Sequence, residues 1–235
     1  MNKLKLFCLA LLLTFASLHA TMTEYNVKAM GLKVAYISFT KSDSQLLIKT
    51  HSLSKSILFP PIDNEYRIDV DEQFHPLLYI REIKQKNLVD KIRVEYNRPL
   101  MKATELRKSN GSVKNYAIDA DIRDVFSLIA YLTHKNPNKR QYVVDANGCP
   151  WMAKVSLPTR EIVKTSLGKY NTNHYEITFK PLTSKKTPYV DMITFNFVNE
   201  DTKLDLWVSD NHVAVKAVVH KKALAMSWEI IGHTP

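Results

Sequence analysis

The sequence predicts a mainly β fold: a curved antiparallel sheet, open or half-barrel in form and connected as a meander, with one amphipathic helix packed on its concave side. Three observations predict this fold. Short segments along most of the chain alternate apolar and polar residues with the period of a β-strand. A single mid-chain segment has the helical period instead. With only 5 glycines in 235 residues, the chain has few of the residues used at tight bends of closed barrels, so an open sheet is favoured.

Three strands are predicted in residues 203–230, where the alternation is clearest. Their apolar positions are Leu204, Leu206 and Val208, then Val213, Val215, Ala217 and Val219, then Leu224, Met226, Trp228 and Ile230. The polar cluster at 209–212 and the pair Lys221-Lys222 read as turns. Sequential strands joined by short turns make an antiparallel meander.

The same alternation predicts strands at 66–71, 92–97, 174–180 and 192–197. Asn110-Gly111 and Asn147-Gly148 are dipeptides that two-residue hairpins favour, because both central positions need positive φ. Loops are expected at 52–64, 135–141 and 180–188, the first because Pro60-Pro61 does not fit the interior of a sheet.

A helix is predicted from about residue 121 to 134. Its apolar residues recur at helical spacing: Ile122, Val125, Phe126, Ile129, Ala130 and Thr133. Asp119 or Asp121 can cap its start, His134 and Lys135 suit its carboxyl end, and Pro137 stops it. An amphipathic helix in a sheet protein must bury its apolar stripe, and the hollow of a curved sheet is the natural place.

The first 20 residues have the pattern of a secretory signal peptide: Lys3 and Lys5 precede an apolar core at 6–15 and a small-residue end at 17–20. The core is shorter than the roughly 20 apolar residues that span a bilayer, although a retained N-terminal anchor remains the alternative. We expect cleavage near Ala20, which leaves one β-rich domain of residues 21–235, without a transmembrane span, in the periplasm or outside the cell.

The cysteine content and the net charge indicate the cellular location of the protein and the kind of partner that it attracts. After removal of the leader, which carries Cys8, only Cys149 remains, so no intrachain disulfide can form. An exported chain without disulfides points to the bacterial envelope. The formal net charge of +10 suits attraction to anionic lipid headgroups or other envelope polyanions, or only a solvated surface. The basic residues are spread along the chain, which argues against a nucleic-acid groove.

The candidate ligand-lining residues are Trp207 and Val218 on the strands and Phe126 and Ile129 on the helix. Trp207 and Val218 occupy the otherwise polar faces of their strands. A sheet that is apolar on both sides covers a helix or surrounds a ligand. We therefore expect Trp207 either to pack under the helix or to line a ligand cleft.

No catalytic motif or cofactor fingerprint is present, so no cofactor is expected. His212 and His220 could face each other across a hairpin, but zinc needs three or four converging ligands, and exposed strand histidines are favoured over a metal site. In the segment NGCPW, Cys149 is similar to the nucleophile of cell-wall transpeptidases, which carry His-Gly-Cys-x-Arg. Asn147 and Trp151 replace the His and the Arg, and no base stands nearby in sequence to activate the thiol.

Four segments in order carry a family resemblance: DNEYRIDVDEQFHPLLYIRE, DIRDVFSLIAYL, REIVKTSLGKYNTNHYEITF and LDLWVSDNHVAVKAVVHKKALAMSWEI. From about residue 24 to 232 the chain resembles the exported bacterial family catalogued as domain of unknown function 3108. It departs in the longer KPLTSKKTP insertion and in its few glycines. The resemblance implies a curved antiparallel sheet with a helix that looks like the half-barrels of periplasmic lipoprotein carriers, and it implies no catalytic residues.

These observations favour a non-catalytic periplasmic protein of the bacterial envelope, whose curved sheet binds an apolar or amphipathic ligand such as a lipid or acyl chain. The alternative is a structural or scaffolding protein that binds other envelope proteins or peptidoglycan. A third possibility is an enzyme that depends on Cys149.

Overall fold

The structure is a computed structural model that describes residues 20–53, 60–135 and 137–235. Residues 1–19 of the expected leader and the middle of the predicted loop at 52–64 lie outside the described residues.

Fifteen strands and two helices occur in the described chain. In chain order the strands are β1 Thr21–Ala29, β2 Leu32–Lys41, β3 Gln45–Ser52, β4 Asp63–Val70, β5 Pro76–Gln85, β6 Leu88–Asn97, β7 Lys102–Arg107, β8 Val113–Ala117, β9 Gln141–Asp145, β10 Pro150–Val155, β11 Thr159–Thr165, β12 Gly168–Pro181, β13 Thr202–Ser209, β14 Ala214–Lys221 and β15 Leu224–Thr234. The helices are α1 Val125–Lys135 and α2 Met192–Phe197.

All fifteen strands join one antiparallel sheet. Its order is β8-β7-β6-β5-β4-β3-β2-β1-β15-β14-β13-β12-β10-β9, with β11 paired to β12 beside this path. Most neighbours in the sheet are neighbours in the sequence, so the predicted meander is confirmed. The first and last strands adjoin in the middle of the order, where Val27 of β1 pairs with Trp228 of β15.

The two ends of the sheet curl toward each other without joining into a closed ladder. Asp145 at the end of β9 accepts hydrogen bonds from Tyr96 of β6 at 2.9 Å and Tyr116 of β8 at 2.7 Å. Between the two edges, Arg123 forms a parallel bridge with Val144 of β9. The predicted curved, open sheet is therefore confirmed, because residues far apart in the strand order meet on one side of it.

Helix α1 lies in the hollow of this sheet, as the apolar stripe predicts. Leu128 and Leu132 are almost fully buried, and the same core cluster contains residues from both halves of the sheet, such as Ile48 of β3 and Ile177 of β12. The helix thus packs on the concave side of the sheet and contributes to one core with both of its halves.

The start of α1 corrects the sequence prediction. Its cap is Asp124, whose carboxylate accepts hydrogen bonds from the backbone of Phe126 at 2.9 Å and Ser127 at 3.2 Å. Asp119 and Asp121 lie earlier, at a turn that precedes the bridge between Arg123 and β9. Tertiary pairing therefore delays the helix by one turn relative to its apolar period.

The predicted strand at 192–197 is wrong, since these residues form α2. Asp191 caps the helix by accepting hydrogen bonds from the backbone of Ile193 at 2.8 Å and Thr194 at 2.9 Å, and from the Thr194 hydroxyl at 2.6 Å. The segment is apolar at most positions, so a helix and a strand can each bury part of it. The cap decides between them by satisfying the first amides of a helix.

Two turn predictions have different outcomes. Asn147 and Gly148 join β9 to β10 with φ values of 56° and 78°, as a two-residue hairpin requires. Between β7 and β8, Gly111 has positive φ but Asn110 does not, and five residues separate the strands. That hairpin is real, but it has a longer loop than the dipeptide predicts.

The alternation of β14 is also interrupted. Its register against β13 shifts between Trp207 and Val208. Ala217 and Val219 belong to the main core, whereas Val215 packs with Val163 and Ile230 in a second, small cluster. The sequence placed Val215 in the same apolar row as Ala217 and Val219, because a bulge of this kind leaves no mark on a simple period-two pattern.

Candidate ligand-binding site

Three adjoining cavities lie between α1, α2 and the strands β1–β3 and β13–β15. The first, which we call the mouth, measures about 300 Å³. The second measures about 80 Å³ and shares Tyr25, Phe39, Ile129 and Ala214 with the mouth. The third measures about 30 Å³ and is linked to the second through shared walls that include Phe197 and Trp228. Together they form a row that begins at the mouth, and we call the second and third the inner cavities.

The mouth is basic and has no acidic wall. Lys41, His134, His212 and His233 line it, and none of its lining residues is Asp or Glu. Within the described chain, Lys41 forms no ion pair, and its ammonium lies 5.9 Å from the centre of the Phe74 ring. A basic rim without carboxylates attracts an anionic group, because no internal partner neutralises it.

The inner two cavities are apolar. Most wall residues are apolar and come from α1, α2 and the inward faces of the strands, among them Ile37, Ile48, Phe126, Ile129, Ile193, Phe197, Leu204, Leu206, Val219, Met226 and Trp228. The polar wall residues are Thr50, His51, Ser52, Asn196 and Lys216. Such walls suit a hydrocarbon chain, whose burial contributes roughly 0.8 kcal/mol per CH₂.

Trp228, in the walls of these cavities, carries an unpaired polar atom. Trp228 is 7% exposed and lines both inner cavities, and within the described residues its indole N–H has no hydrogen-bond partner. A buried donor without a partner costs about 1–3 kcal/mol. An oxygen of a bound ligand would satisfy it.

His134 links the mouth to the end of α1. Its ring stacks on Phe74 at 5.6 Å between ring centres. Burial lowers the pKa of His134 to about 4, and the nearby charges of Lys41, His212 and Lys135 act in the same direction. At neutral pH this imidazole is uncharged, so Lys41 is the permanent cation of the mouth.

The structure separates the four candidate ligand-lining residues into two pairs. Phe126 and Ile129 both line the second cavity, and Ile129 also lines the mouth. Trp207 and Val218 lie on the opposite face of the sheet, because they alternate with Leu204, Leu206 and Val219, which face the cavities. Trp207 therefore does not pack under α1. A role of these four side chains in ligand binding stays a prediction.

On that outer face, Trp207 belongs to a polar network. Its indole N–H donates to Glu161 Oε2 at 2.8 Å, its ring stacks on His174 with 4.3 Å between centres, and Lys216 lies 4.8 Å over it. On this outer face, Trp207 thus packs against polar and charged side chains of β11, β12 and β14.

His212 and His220 do not face each other. They lie at opposite ends of β14: His212 is in the turn before it and contacts the carbonyl oxygen of Thr133 at 3.2 Å, and His220 contacts Asp205 at 3.0 Å. The hairpin argument misplaced them because Ala214, not His212, begins the strand.

Cys149 is 1% exposed, directly after the turn that joins β9 to β10. The hydrogen-bond contact of its sulfur is the carbonyl oxygen of Lys186, at 3.9 Å. A carbonyl oxygen does not deprotonate a thiol or stabilise a thiolate.

A buried polar cluster near the sheet's two ends escaped the sequence analysis. Arg81, 2% exposed, donates to Asn147 Oδ1 at 2.5 Å and lies 3.8 Å from Glu105. Asp124 and Asp145 line the same small void of about 10 Å³, and burial raises the pKa of Asp124. The void holds at most about one water molecule. Nothing larger fits, and the cluster's contacts join β5 to the β9–β10 turn.

Among the described residues, neither helix is long and apolar enough to cross a bilayer. No family model and no curated protein matches the chain, so the resemblance to domain of unknown function 3108 is not confirmed.

Among solved structures, the chain is similar to a β-barrel-like protein from Brucella abortus with domain of unknown function 1849. The identity is 10%, the match covers 92% of this chain and 97% of that one, and the TM-score is 0.61.

A protein from Bacteroides fragilis with a YmcC-like fold also matches at 10% identity, over 92% of this chain and 95% of that one. Its TM-score of 0.29 is too low to bear on the fold. The Brucella likeness shows the fold alone, and it agrees with a curved, barrel-like β-sheet.

Proposed function

We propose that this protein is a non-catalytic, exported protein of the bacterial envelope that binds an amphipathic lipid or acyl-chain ligand. The hydrocarbon part of the ligand lies in the apolar cavities between α1 and the sheet, and its anionic end lies at the mouth. The observation that carries the proposal is the polarity gradient along the three cavities, from Lys41 at the mouth to Phe197 and Trp228 inside.

The cavity dimensions support one chain rather than a bulky ligand. Of the three cavities, the mouth has a volume at the lower end of the 300–1,000 Å³ range typical of small-molecule sites. The two inner cavities are smaller and adjoin it. An extended acyl chain matches a narrow apolar path, and the unpaired indole N–H of Trp228 offers one hydrogen bond to an ester or carbonyl oxygen.

A fluorescent fatty acid such as cis-parinaric acid tests the proposal on delipidated protein. We expect saturable binding that palmitate displaces. Ile129→Trp, which fills the junction of the mouth and the second cavity, should weaken binding at least about tenfold, a loss of about 1.4 kcal/mol. Ile162→Trp is the matched control, since Ile162 lies on β11 and is 68% exposed.

A charge reversal tests the mouth separately. Lys41→Glu should weaken binding of the fatty acid but leave binding of an uncharged naphthylamine dye unchanged, because only the fatty acid carries an anionic end. Lys154→Glu, an exposed substitution on β10, should change neither. Equal binding in wild type and Ile129→Trp would contradict the proposal, and a single partner recovered by crosslinking would then favour the scaffolding alternative.

The absence of catalysis is a separate part of the proposal, supported by the buried setting of Cys149. Iodoacetamide at neutral pH should react with Cys149 more slowly than with a free peptide cysteine. A faster reaction would favour the thiol enzyme instead.

A further inference from the structure

The outer face of the sheet carries a second cluster, which goes beyond the proposed ligand site. His174 and Glu176 of β12 lie on one face at i, i+2, and Asp205 of β13 pairs directly with Glu176. One ligand atom from each of the three side chains lies within 4.8 Å of the others. Two carboxylates directly opposite each other on neighbouring strands repel, so this arrangement favours a cation between them.

Lys203 supplies a cation in the present structure. Its ammonium lies 3.1 Å from Glu176 Oε1 and 3.3 Å from Asp205 Oδ1. Its side chain is 40% exposed, so it can leave into solvent at small cost. Asp205, by contrast, is only 4% exposed and cannot move away from His174 without breaking its other contacts.

His174 is oriented as metal-binding histidines are. Its Nδ1 lies 2.9 Å from Glu161 Oε1, and its Nε2 lies 2.9 Å from Asp205 Oδ1. A neutral imidazole carries one N–H and can donate to only one of these carboxylates. A metal ion at Nε2 leaves the Nδ1 proton for Glu161, which is the carboxylate–histidine–metal arrangement.

Further contacts hold this geometry. Glu161 accepts a hydrogen bond from the Trp207 indole through its other oxygen, and the Trp207 ring stacks flat on His174. His220 approaches the second oxygen of Asp205 at 3.0 Å. The imidazole is therefore clamped on one side by Trp207 and at one nitrogen by Glu161, while its other nitrogen faces the carboxylate pair.

We propose that His174, Glu176 and Asp205 form a binding site for a divalent transition-metal ion of the zinc type, which displaces the ammonium of Lys203. The nitrogen ligand favours such ions over Mg²⁺ and Ca²⁺, which prefer oxygen ligands only. Glu161 is a positioning residue for His174. The site lies on the face opposite the acyl-chain cavities and does not depend on them.

Calorimetric titration of the metal-free full chain with Zn²⁺ tests the site. We expect one strong site, and His174→Ala should weaken it at least about tenfold. Glu161→Gln should weaken it about 10- to 100-fold, as loss of an outer partner of a ligating histidine does. His51→Ala is the matched control: His51 is an exposed strand histidine beside a carboxylate, Asp63, and its loss should leave binding unchanged.

Lys203→Met provides a gain of function that misfolding does not produce. Removal of the competing ammonium should tighten Zn²⁺ binding, whereas Mg²⁺ should bind weakly to every variant. Co²⁺ should quench the fluorescence of Trp207 by proximity, and this quenching should vanish in Trp207→Phe. Unchanged Zn²⁺ affinity in either His174→Ala or Lys203→Met would overturn the proposal, as would the absence of Zn²⁺ binding by the wild type.

Discussion

In this protein, the surroundings of a single side chain depend on its neighbours in the folded sheet more than on its residue type. Trp207 and Trp228 both stand in strands that alternate, Trp228 in an apolar row and Trp207 on an otherwise polar face. The first lies among Glu161, His174 and Lys216 on the outer face, and the second lines the apolar cavities. Alternation predicts that a side chain points up or down, but which face meets the helix follows only from the folded sheet.

His134 gives a prediction at the residue scale. Its pKa falls from the usual 6.5 to about 4 because of burial, so the folded protein binds fewer protons than the unfolded chain between these values. Stability from this group is fully present above pH 6.5 and is lost as the pH falls toward 4. In His134→Phe, which keeps the stacking on Phe74, this loss should be absent.

Urea unfolding at several pH values measures the effect. The stability of His134→Phe relative to wild type should rise as the pH falls from 6.5 to 4. A stability difference that stays constant over this range would rule out a depressed pKa for His134.

The helices and strands show where the local sequence pattern and the tertiary packing favour different structures. Six of the seven strands that period-two alternation predicts are strands in the structure, since each has one face on the core. It fails at α2, where the cap at Asp191 selects a helix, and at the start of α1, where pairing of Arg123 with Val144 keeps the chain extended. The caps are visible in the sequence, but several aspartates compete for each role, and only packing selects among them.

The buried cluster around Arg81 gives a prediction at the element scale. Arg81→Met should destabilise the protein by about 3–5 kcal/mol, because it leaves buried Glu105 with Arg107 alone, at 3.9 Å, and removes the donor to Asn147. Arg93→Met on β6 is the control. In its pair with Glu95, the Arg93 side chain is 45% exposed, and exposed ion pairs contribute at most about 1 kcal/mol to the free energy of unfolding.

Equilibrium unfolding in urea compares the two variants. Equal losses would mean that the cluster adds nothing beyond an ordinary surface pair. A much larger loss in Arg81→Met would show that β5 and the β9–β10 turn are held together through this contact, which joins residues 66 positions apart.

At the scale of the whole molecule, the curl of the sheet creates the cavities. Residues from β1–β3 and β13–β15 surround the same space because the first and last strands pair in the middle of the sheet. The hollow is only partly filled by α1. A ligand that occupies the remainder should therefore stabilise the fold as a unit.

Thermal unfolding tests this coupling. A fatty acid at about 100 times its dissociation constant should add about 2.7 kcal/mol of stability and raise the Tm. Ile129→Trp should show little or no shift at the same concentration, because its side chain occupies the junction of the cavities. A similar shift in both proteins would mean that the fatty acid binds elsewhere.

The sequence by itself determined the β architecture, the antiparallel meander and the presence of one buried helix, because these follow from side-chain periods that repeat over many residues. It also indicated Phe126 and Ile129, which the helical stripe turns inward. Only the tertiary structure decided the cavities and the grouping of His174, Glu176 and Asp205. These depend on strand register and on the curl that brings distant strands around one helix, and neither leaves a local mark in the sequence.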